Sequence, residues 1–302
     1  MNHRKAVSFS GLTLALGAAS QTEARGNALP IGVFDSGVGG LTVLKQLQRQ
    51  LPQESFVYFG DTANVPYGGR SGAELLGFTQ RILDWMQALP VKMAVMACNT
   101  SSAVTLEQVR HAYSFPILGL ILPAAKAAAR QGTRIGLIAT QATVDSQCYL
   151  RALQEIKGDL AVFQVACPEF VPLIEQGKLE CQETREIVQA RLQPLIEARI
   201  DTLIYGCTHY PHLSRVIQAA LPEGVSLIDP ALHIAQAAAQ ELHLLRLQTS
   251  ATERKKKSKV AYFVSGCPER FADQTFQLTG QRPSVVQVPA PQPQASKDVI
   301  VH

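Results

Sequence analysis

Two cysteines stand at matched places in this 302-residue chain. Ala97-Cys98-Asn99-Thr100 and Gly206-Cys207-Thr208-His209 each end a short apolar run on a thiol that polar residues follow. A thiol has a reference pKa of ~8.5, so it can act as a nucleophile or as a donor and acceptor of protons near neutrality. A helix expected to begin near Ser101 would put the Cys98 sulfur at its positive end, where a thiolate is favoured, and Cys207 reads as having a similar place. Such cysteines can also be small buried hydrophobes, but Asn99-Thr100 and Thr208-His209 argue against purely apolar pockets. His209, two residues beyond Cys207, reads as a proton-handling neighbour. Asp35 and Glu175 gain interest because both fall at or just past expected strand ends.

Cys148, Cys167, Cys181 and Cys267 have no mirrored partner and read as structural. A chain of this size needs no disulfide staples and contains no CxxC pair, so reduced thiols are expected. The glycine-rich turn Ser36-Gly37-Val38-Gly39-Gly40 lacks both GxGxxG spacing and Gly-Lys-Ser/Thr. It is suited to letting backbone N–H groups approach a carboxylate rather than to cradling a phosphate. Cys207 and His209 have no second ligand pair at an accepted spacing for zinc, and no lysine in these motifs could anchor pyridoxal phosphate. No cofactor and no metal are therefore expected.

Positioning these groups requires strands with polar residues at their carboxyl ends. From Pro30 onward, short apolar runs alternate with helical patterns, the signature of parallel α/β layers. Strands are expected at Ile31–Phe34, Phe56–Phe59, Met93–Ala97, Ile117–Leu120, Arg134–Ala139, Ala161–Val165, Thr202–Tyr205, Ser226–Ile228 and Val260–Val264. Ser71 and Glu74 form a capping box that opens a helix reaching about Ala88, and Pro194 is expected to bend the helix that begins near Gln182. Ligands of parallel sheets bind beyond the strands' carboxyl ends. Asp35-Ser36, the stretch from Asp61 to Tyr67-Gly68, and Cys98-Asn99-Thr100 all fall there. So do Thr140 and Thr143, the stretch from Cys167 to Glu175, and Cys207-Thr208-His209. Ile31–Asp35 parallels Ile135–Ala139, and Met96–Thr100 parallels Tyr205–His209, which suggests two pseudo-symmetric halves.

Composition narrows the function classes. The formal charge of +4 is small for the length, and much of it lies in Arg254-Lys255-Lys256-Lys257-Ser258-Lys259, which reads as a solvated loop. No aromatic or recognition-helix pattern flanks that run, so no nucleic-acid partner is indicated. No apolar stretch reaches the ~18 residues of a membrane span. The start is signal-like: Met1–Lys5 is basic, Ala6–Ala19 is moderately apolar, and Ala18-Ala19-Ser20 has the form of a cleavage site. Ser8, Ser10 and Thr13 dilute the apolar stretch, and exported thiols would risk oxidation, so a cytoplasmic protein is expected.

These motifs resemble the glutamate racemases within the wider aspartate/glutamate racemase group. The resemblance rests on the segments 32–41, 60–68, 97–103 and 206–211, with support from 167–175 and 262–266, and it covers Leu29 to about Pro283. It implies two α/β domains facing each other across a closed cleft: residues 29–120 plus 232–285 form a discontinuous first domain and residues 121–231 the second. Residues 1–28 would be a disordered or signal-like extension, and 286–302 a disordered Pro/Gln-rich tail.

The resemblance further implies that Cys98 takes the α-proton from D-glutamate and Cys207 from L-glutamate. Asp35 would assist Cys98, while Glu175 and His209 would assist Cys207. Asp35, Ser36, Tyr67, Gly68, Asn99, Thr100, Thr140, Thr143, Thr208 and His209 would contact the substrate. D-glutamate would feed bacterial peptidoglycan synthesis, and a homodimer is compatible with the family. Asp61 matches a family position to which no role is carried over, and the long N-terminal segment, the basic run and Cys267 depart from the pattern. Three other readings stay open on the residues alone: a racemase of aspartate or a related acid, a thiol hydrolase built on Cys207 and His209, and a non-catalytic amino-acid-binding module.

Overall fold

The computed structural model describes residues 27–249 and 259–288. The expectations for residues 1–26, for the basic run as far as Ser258 and for the tail from Pro289 lie outside the described residues.

In chain order the first lobe contains β1 (Ile31–Asp35), α1 (Leu41–Gln50), β2 (Phe56–Gly60), α2 (Gly72–Ala88), β3 (Met93–Met96), α3 (Asn99–Val109) and β4 (Ile117–Gly119). The chain continues through α4 (Ile121–Gln131), β5 (Arg134–Ala139), α5 (Gln141–Asp145), α6 (Cys148–Ile156), β6 (Ala161–Ala166) and α7 (Phe170–Glu175). Next come α8 (Gln182–Glu197), β7 (Thr202–Gly206), a 3-10 helix (Tyr210–Leu213), α9 (Ser214–Ala220) and β8 (Ser226–Ile228). The helix α10 (Pro230–Leu244) then leads back to the first sheet, which is completed by β9 (Val260–Val264), α11 (Pro268–Thr279) and β10 (Val285–Gln287).

Every pairing is parallel. The first sheet has the order β10-β9-β2-β1-β3-β4 and the second the order β6-β5-β7-β8. The run β2-β1-β3-β4 is therefore repeated by β6-β5-β7-β8, which makes β1 equivalent to β5 and β3 equivalent to β7. β1, β2 and β3 are buried along their whole length, as strands covered by helices on both faces must be. Their Ile, Val, Phe and Met side chains form unbroken apolar runs for that reason.

The strands lie where the sequence suggests, within a residue at each end. The exception is β10, whose three residues, Val-Val-Gln, are too few to show a period. It runs past residue 286, where the tail was expected to begin, and the Val288 N–H donates to Val264 O at 2.9 Å. At the other end, Asn27 O accepts from the buried Lys92 ammonium at 2.8 Å, so Asn27 is tied to the first lobe. The helix α2 opens with the expected capping box, the Ser71 hydroxyl accepting from Glu74 N–H and the Glu74 carboxylate from Ser71 N–H. α8 continues through Pro194 to Glu197.

The helix α10 joins the two lobes. Asp229 caps it by accepting from Ala231 N–H at 2.9 Å, and Pro230 occupies the first turn, where no N–H is needed. Its Ile234, Ala235, Ala238 and Leu242 pack with Leu44 and Leu47 of α1 in the core of the first lobe. Small residues on this face let the two helices approach closely.

Candidate active site

A cavity of about 540 Å³ lies between the carboxyl ends of the two sheets. It has the volume of a small-molecule site and the position expected of one in parallel α/β sheets. Its wall includes Asp35, Ser36, Tyr67, Gly68, Cys98, Asn99 and Thr100 from the first lobe, and Thr140, Glu175, Cys207, Thr208 and His209 from the second. Of the residues expected to act in catalysis or to contact substrate, all but Thr143 line it. That residue is fully buried, with its hydroxyl oxygen 3.0 Å from that of Thr140. Thr143 thus stands behind Thr140 and braces its hydroxyl.

Cys98 ends the loop after β3 and is the N-cap residue of α3, which starts at Asn99, two residues earlier than expected. The expected proximity of sulfur to a helix start is present, but it does not prevail. Burial, followed by the negative charge of Asp35, pushes the Cys98 thiol up to about 12, while the N–H and hydroxyl of Ser101 pull the other way. Cys98 at rest is thus a thiol, a proton donor.

Asp35 sits at the end of β1, fully buried. Its Oδ2 accepts from Gly40 N–H at 2.8 Å and Gly37 N–H at 3.3 Å, and its Oδ1 has no partner among the described residues. The glycine-rich turn does bring backbone N–H groups to a carboxylate, and the carboxylate is the chain's own. Burial raises the Asp35 pKa, with the attraction of His209 and the loop N–H groups opposing. Asp61 also gains a structural setting. It accepts from the Tyr67 hydroxyl at 2.5 Å and from Ser265 Oγ at 2.7 Å, so a residue of β2's end is tied to one just after β9, and Tyr67 is held in the wall.

Cys207 differs from Cys98 in its surroundings, against the expectation of a similar place. β7 ends at Gly206 and is followed by a turn and a 3-10 helix capped by His209, so Cys207 is not at an α-helix N-terminus. Pro211 accounts for this: it lacks an N–H and is suited to the first turn of a helix, which places the start at Tyr210. The neighbour of Cys207 is the imidazole of His209, with Sγ 3.8 Å from Nδ1. On its far side His209 Nε2 lies 3.6 Å from Glu175 Oε1. Burial alone would favour the neutral ring, but interactions with Cys207, Glu175 and Asp35 outweigh it and lift the pKa to about 10.

The lobes meet closely around these groups. Thr100 and Thr140 hydroxyl oxygens are 2.9 Å apart across the seam, and Ala142 N–H donates to Gly68 O at 3.2 Å. The cavity also has wall residues that the sequence did not single out. Arg270 and Gln274 of α11 reach it from a distant part of the chain, and Cys167, read as structural, lies on the wall with its thiol pushed up to about 12 by burial. No local signal marks Arg270 or Gln274. Cys167 did stand at a strand end, the one cue available for it. Among the described residues no three His, Cys, Asp or Glu side chains cluster as metal ligands, and no helix is long and apolar enough to cross a membrane.

Two thiols, each on its own lobe and each with an ionisable partner, Asp35 beside Cys98 and His209 beside Cys207, can remove a proton on one side of a small molecule and return one on the other. Similarity to known proteins bears on the question directly. Residues 31–243 match the family described as Asp/Glu/Hydantoin racemase. The glutamate racemase of Nostoc sp. is 56% identical over 256 residues, covering 85% of this chain and 86% of that protein. A crystal structure of a glutamate racemase isoform from Bacillus anthracis superposes with a TM-score of 0.83 at 36% identity, covering 87% of this chain and 98% of that one. The glutamate racemase from Francisella tularensis, solved in complex with D-glutamate, gives 0.81 at 31% identity, covering 87% and 98%. With matched thiols in repeated lobes and similarity that runs through both of them, the chain belongs to the Asp/Glu/Hydantoin racemase family and, within it, to the glutamate racemases.

Proposed function

We propose that this chain interconverts L-glutamate and D-glutamate without a cofactor, with Cys98 and Cys207 working on opposite faces of Cα. The observation that supports this best is the pair of thiols at equivalent strand ends of two lobes, both on the wall of one cavity. The α-proton of an amino acid is far less acidic than a thiol, so the site must stabilise the carbanion as it forms. Donors aimed at the α-carboxylate in a closed, dry cleft can do this, and the substrate's own ammonium adds positive charge nearby.

In this reading Cys207 takes the proton from L-glutamate and Cys98 from D-glutamate, the opposite thiol supplying a proton in each direction. His209, held charged and oriented by Glu175, assists Cys207, and Asp35 assists Cys98. Ser36, Tyr67, Gly68, Asn99, Thr100, Thr140 and Thr208 hold the carboxylates and ammonium. We assign residues 29–120 with 232–285, extended through β10 to 288, to one domain and 121–231 to the other. The D-glutamate formed supplies bacterial peptidoglycan, and the need for two reduced thiols favours a cytoplasmic enzyme. We extend the reading to a homodimer, because α10 leaves Leu232 and Leu244 44% and 75% exposed; sedimentation at several concentrations tests it.

Conversion of L-glutamate in deuterated water tests the mechanism. A thiol that has taken the substrate's proton holds it on its own face, while the other face delivers a proton already equilibrated with solvent. The first D-glutamate formed is expected to carry deuterium at Cα while the remaining L-glutamate stays largely unlabelled, read by proton NMR within the first few per cent of turnover. Labelling of recovered substrate as fast as product would reject two separate thiols. Turnover of aspartate in place of glutamate would replace the substrate.

A further inference from the structure

Asn99, the first residue of α3, is only 2% exposed, yet half of its side chain is without a partner. Its Oδ1 accepts a 2.7 Å hydrogen bond from the Tyr149 hydroxyl, while its buried Nδ2 bonds to nothing among the described residues. The residue lies on the wall of the cavity between the lobes. Tyr149 belongs to α6, on the other side of the seam. It is fully buried in the apolar cluster that includes Ala124, Ile135 and Leu153, and Asn99 Oδ1 is the one acceptor its hydroxyl reaches among the described residues. Burial holds Tyr149 as the phenol, so it keeps a proton to donate.

An amide presents an acceptor at one end and donors at the other. Were the Asn99 amide turned over, the phenol proton would lose its acceptor, and a buried donor without a partner is costly. The oxygen would then be the end left for the cavity, where a substrate carboxylate would meet like partial charge.

We propose that Tyr149 is a positioning residue for substrate: across the seam between the lobes it orients the Asn99 amide so that Nδ2 donates to a carboxylate oxygen of the bound amino acid. The identity of that ligand rests on the racemase reading above. Since the hydroxyl comes from one lobe and the amide from the other, the donor is oriented only when the lobes are together, which ties binding to closure.

The test is a double-mutant cycle with Tyr149→Phe, Asn99→Ala and both together, measuring kcat and KM for L-glutamate and the thermal midpoint of each. Phe keeps the ring in its cavity. Tyr149→Phe is expected to lower kcat/KM about tenfold, the size of one hydrogen bond, chiefly through KM. Asn99→Ala removes the donor that Tyr149 orients, so the double variant is expected to be no slower than Asn99→Ala alone. Losses that add, or a Tyr149→Phe variant with wild-type KM, would overturn the assignment. Wild-type turnover in the same series tests the racemase reading separately. A crystal structure with D-glutamate reads the orientation without turnover: a ligand carboxylate oxygen within about 3.2 Å of Asn99 Nδ2 supports the assignment, and the Asn99 oxygen facing the ligand would overturn it.

Discussion

Gly39 lies in the loop after β1, and a methyl group added there would meet the other lobe. Its Cβ would stand 2.5 Å from His209 Nδ1, 2.6 Å from His209 Cε1 and 2.6 Å from Thr208 Oγ1. Ordinary contacts lie at about 3.5–4.0 Å, so Gly39→Ala creates an overlap of roughly 1 Å. His209 has little freedom to turn away, being buried with one ring nitrogen towards Cys207 and the other towards Glu175. Relief must come from opening the cleft. Overpacking of this kind costs about 1–3 kcal/mol, which charged against the closed state lowers kcat/KM about 5- to 150-fold.

Gly37→Ala in the same loop is the control, because its Cβ would meet only Val65 Cγ1 at an ordinary 3.6 Å. Both variants lose the same backbone freedom in the unfolded chain and keep their N–H donors. Initial rates from L- and D-glutamate, followed by circular dichroism, should show the loss for Gly39→Ala alone. It should be equal in the two directions, since enantiomers have equal free energy in water. Because the overlap is between lobes, the thermal midpoint of Gly39→Ala should stay near that of Gly37→Ala. Equal kcat/KM for the two variants would refute the claim that the loop and His209 must pack this closely for turnover.

The remaining expectations concern the thiols and the imidazole. Cys98→Ala should abolish racemisation from either enantiomer, yet with a substrate carrying a good β-leaving group it should still eliminate from the L-form, where Cys207 alone suffices as base; retention with the D-form instead would reverse the assignment of the two thiols. His209, raised from its ordinary 6.5 to about 10, contributes stability that is fully present below pH 6.5 and is lost as pH rises through 10. Denaturant unfolding across that window should therefore show the advantage of wild type over His209→Asn shrinking with pH, and a constant difference would contradict a charged ring.

Local chemistry was legible wherever it is written in neighbouring residues. Ser71 and Glu74 satisfy each other's backbone within one helical turn, so the capping box and the helix to Ala88 could be read without the fold. The buried strands β1, β2 and β3 announce themselves as apolar runs because parallel sheets are covered on both faces. Cys98 and Cys207 could be paired because repeated lobes repeat the strand end on which each stands. Cys207's setting was misjudged because a thiol followed by polar residues looks alike before an α-helix and before the 3-10 turn that Pro211 allows.

What the tertiary packing brings together left no such trace. Thr143 looked equivalent to Thr140 in the sequence, yet one faces the cavity and the other stands behind it. Asp61 meets Ser265, and Asn99 meets Tyr149, through contacts between residues far apart in the chain. By itself the sequence determined the α/β layers, the two thiols and the loops that carry them, because propensity, capping and burial act over a few residues. The tertiary structure alone decided which face each polar group turns to the cavity and that Cys98 rests as a thiol, because desolvation and interlobe hydrogen bonds depend on what the fold packs around a group.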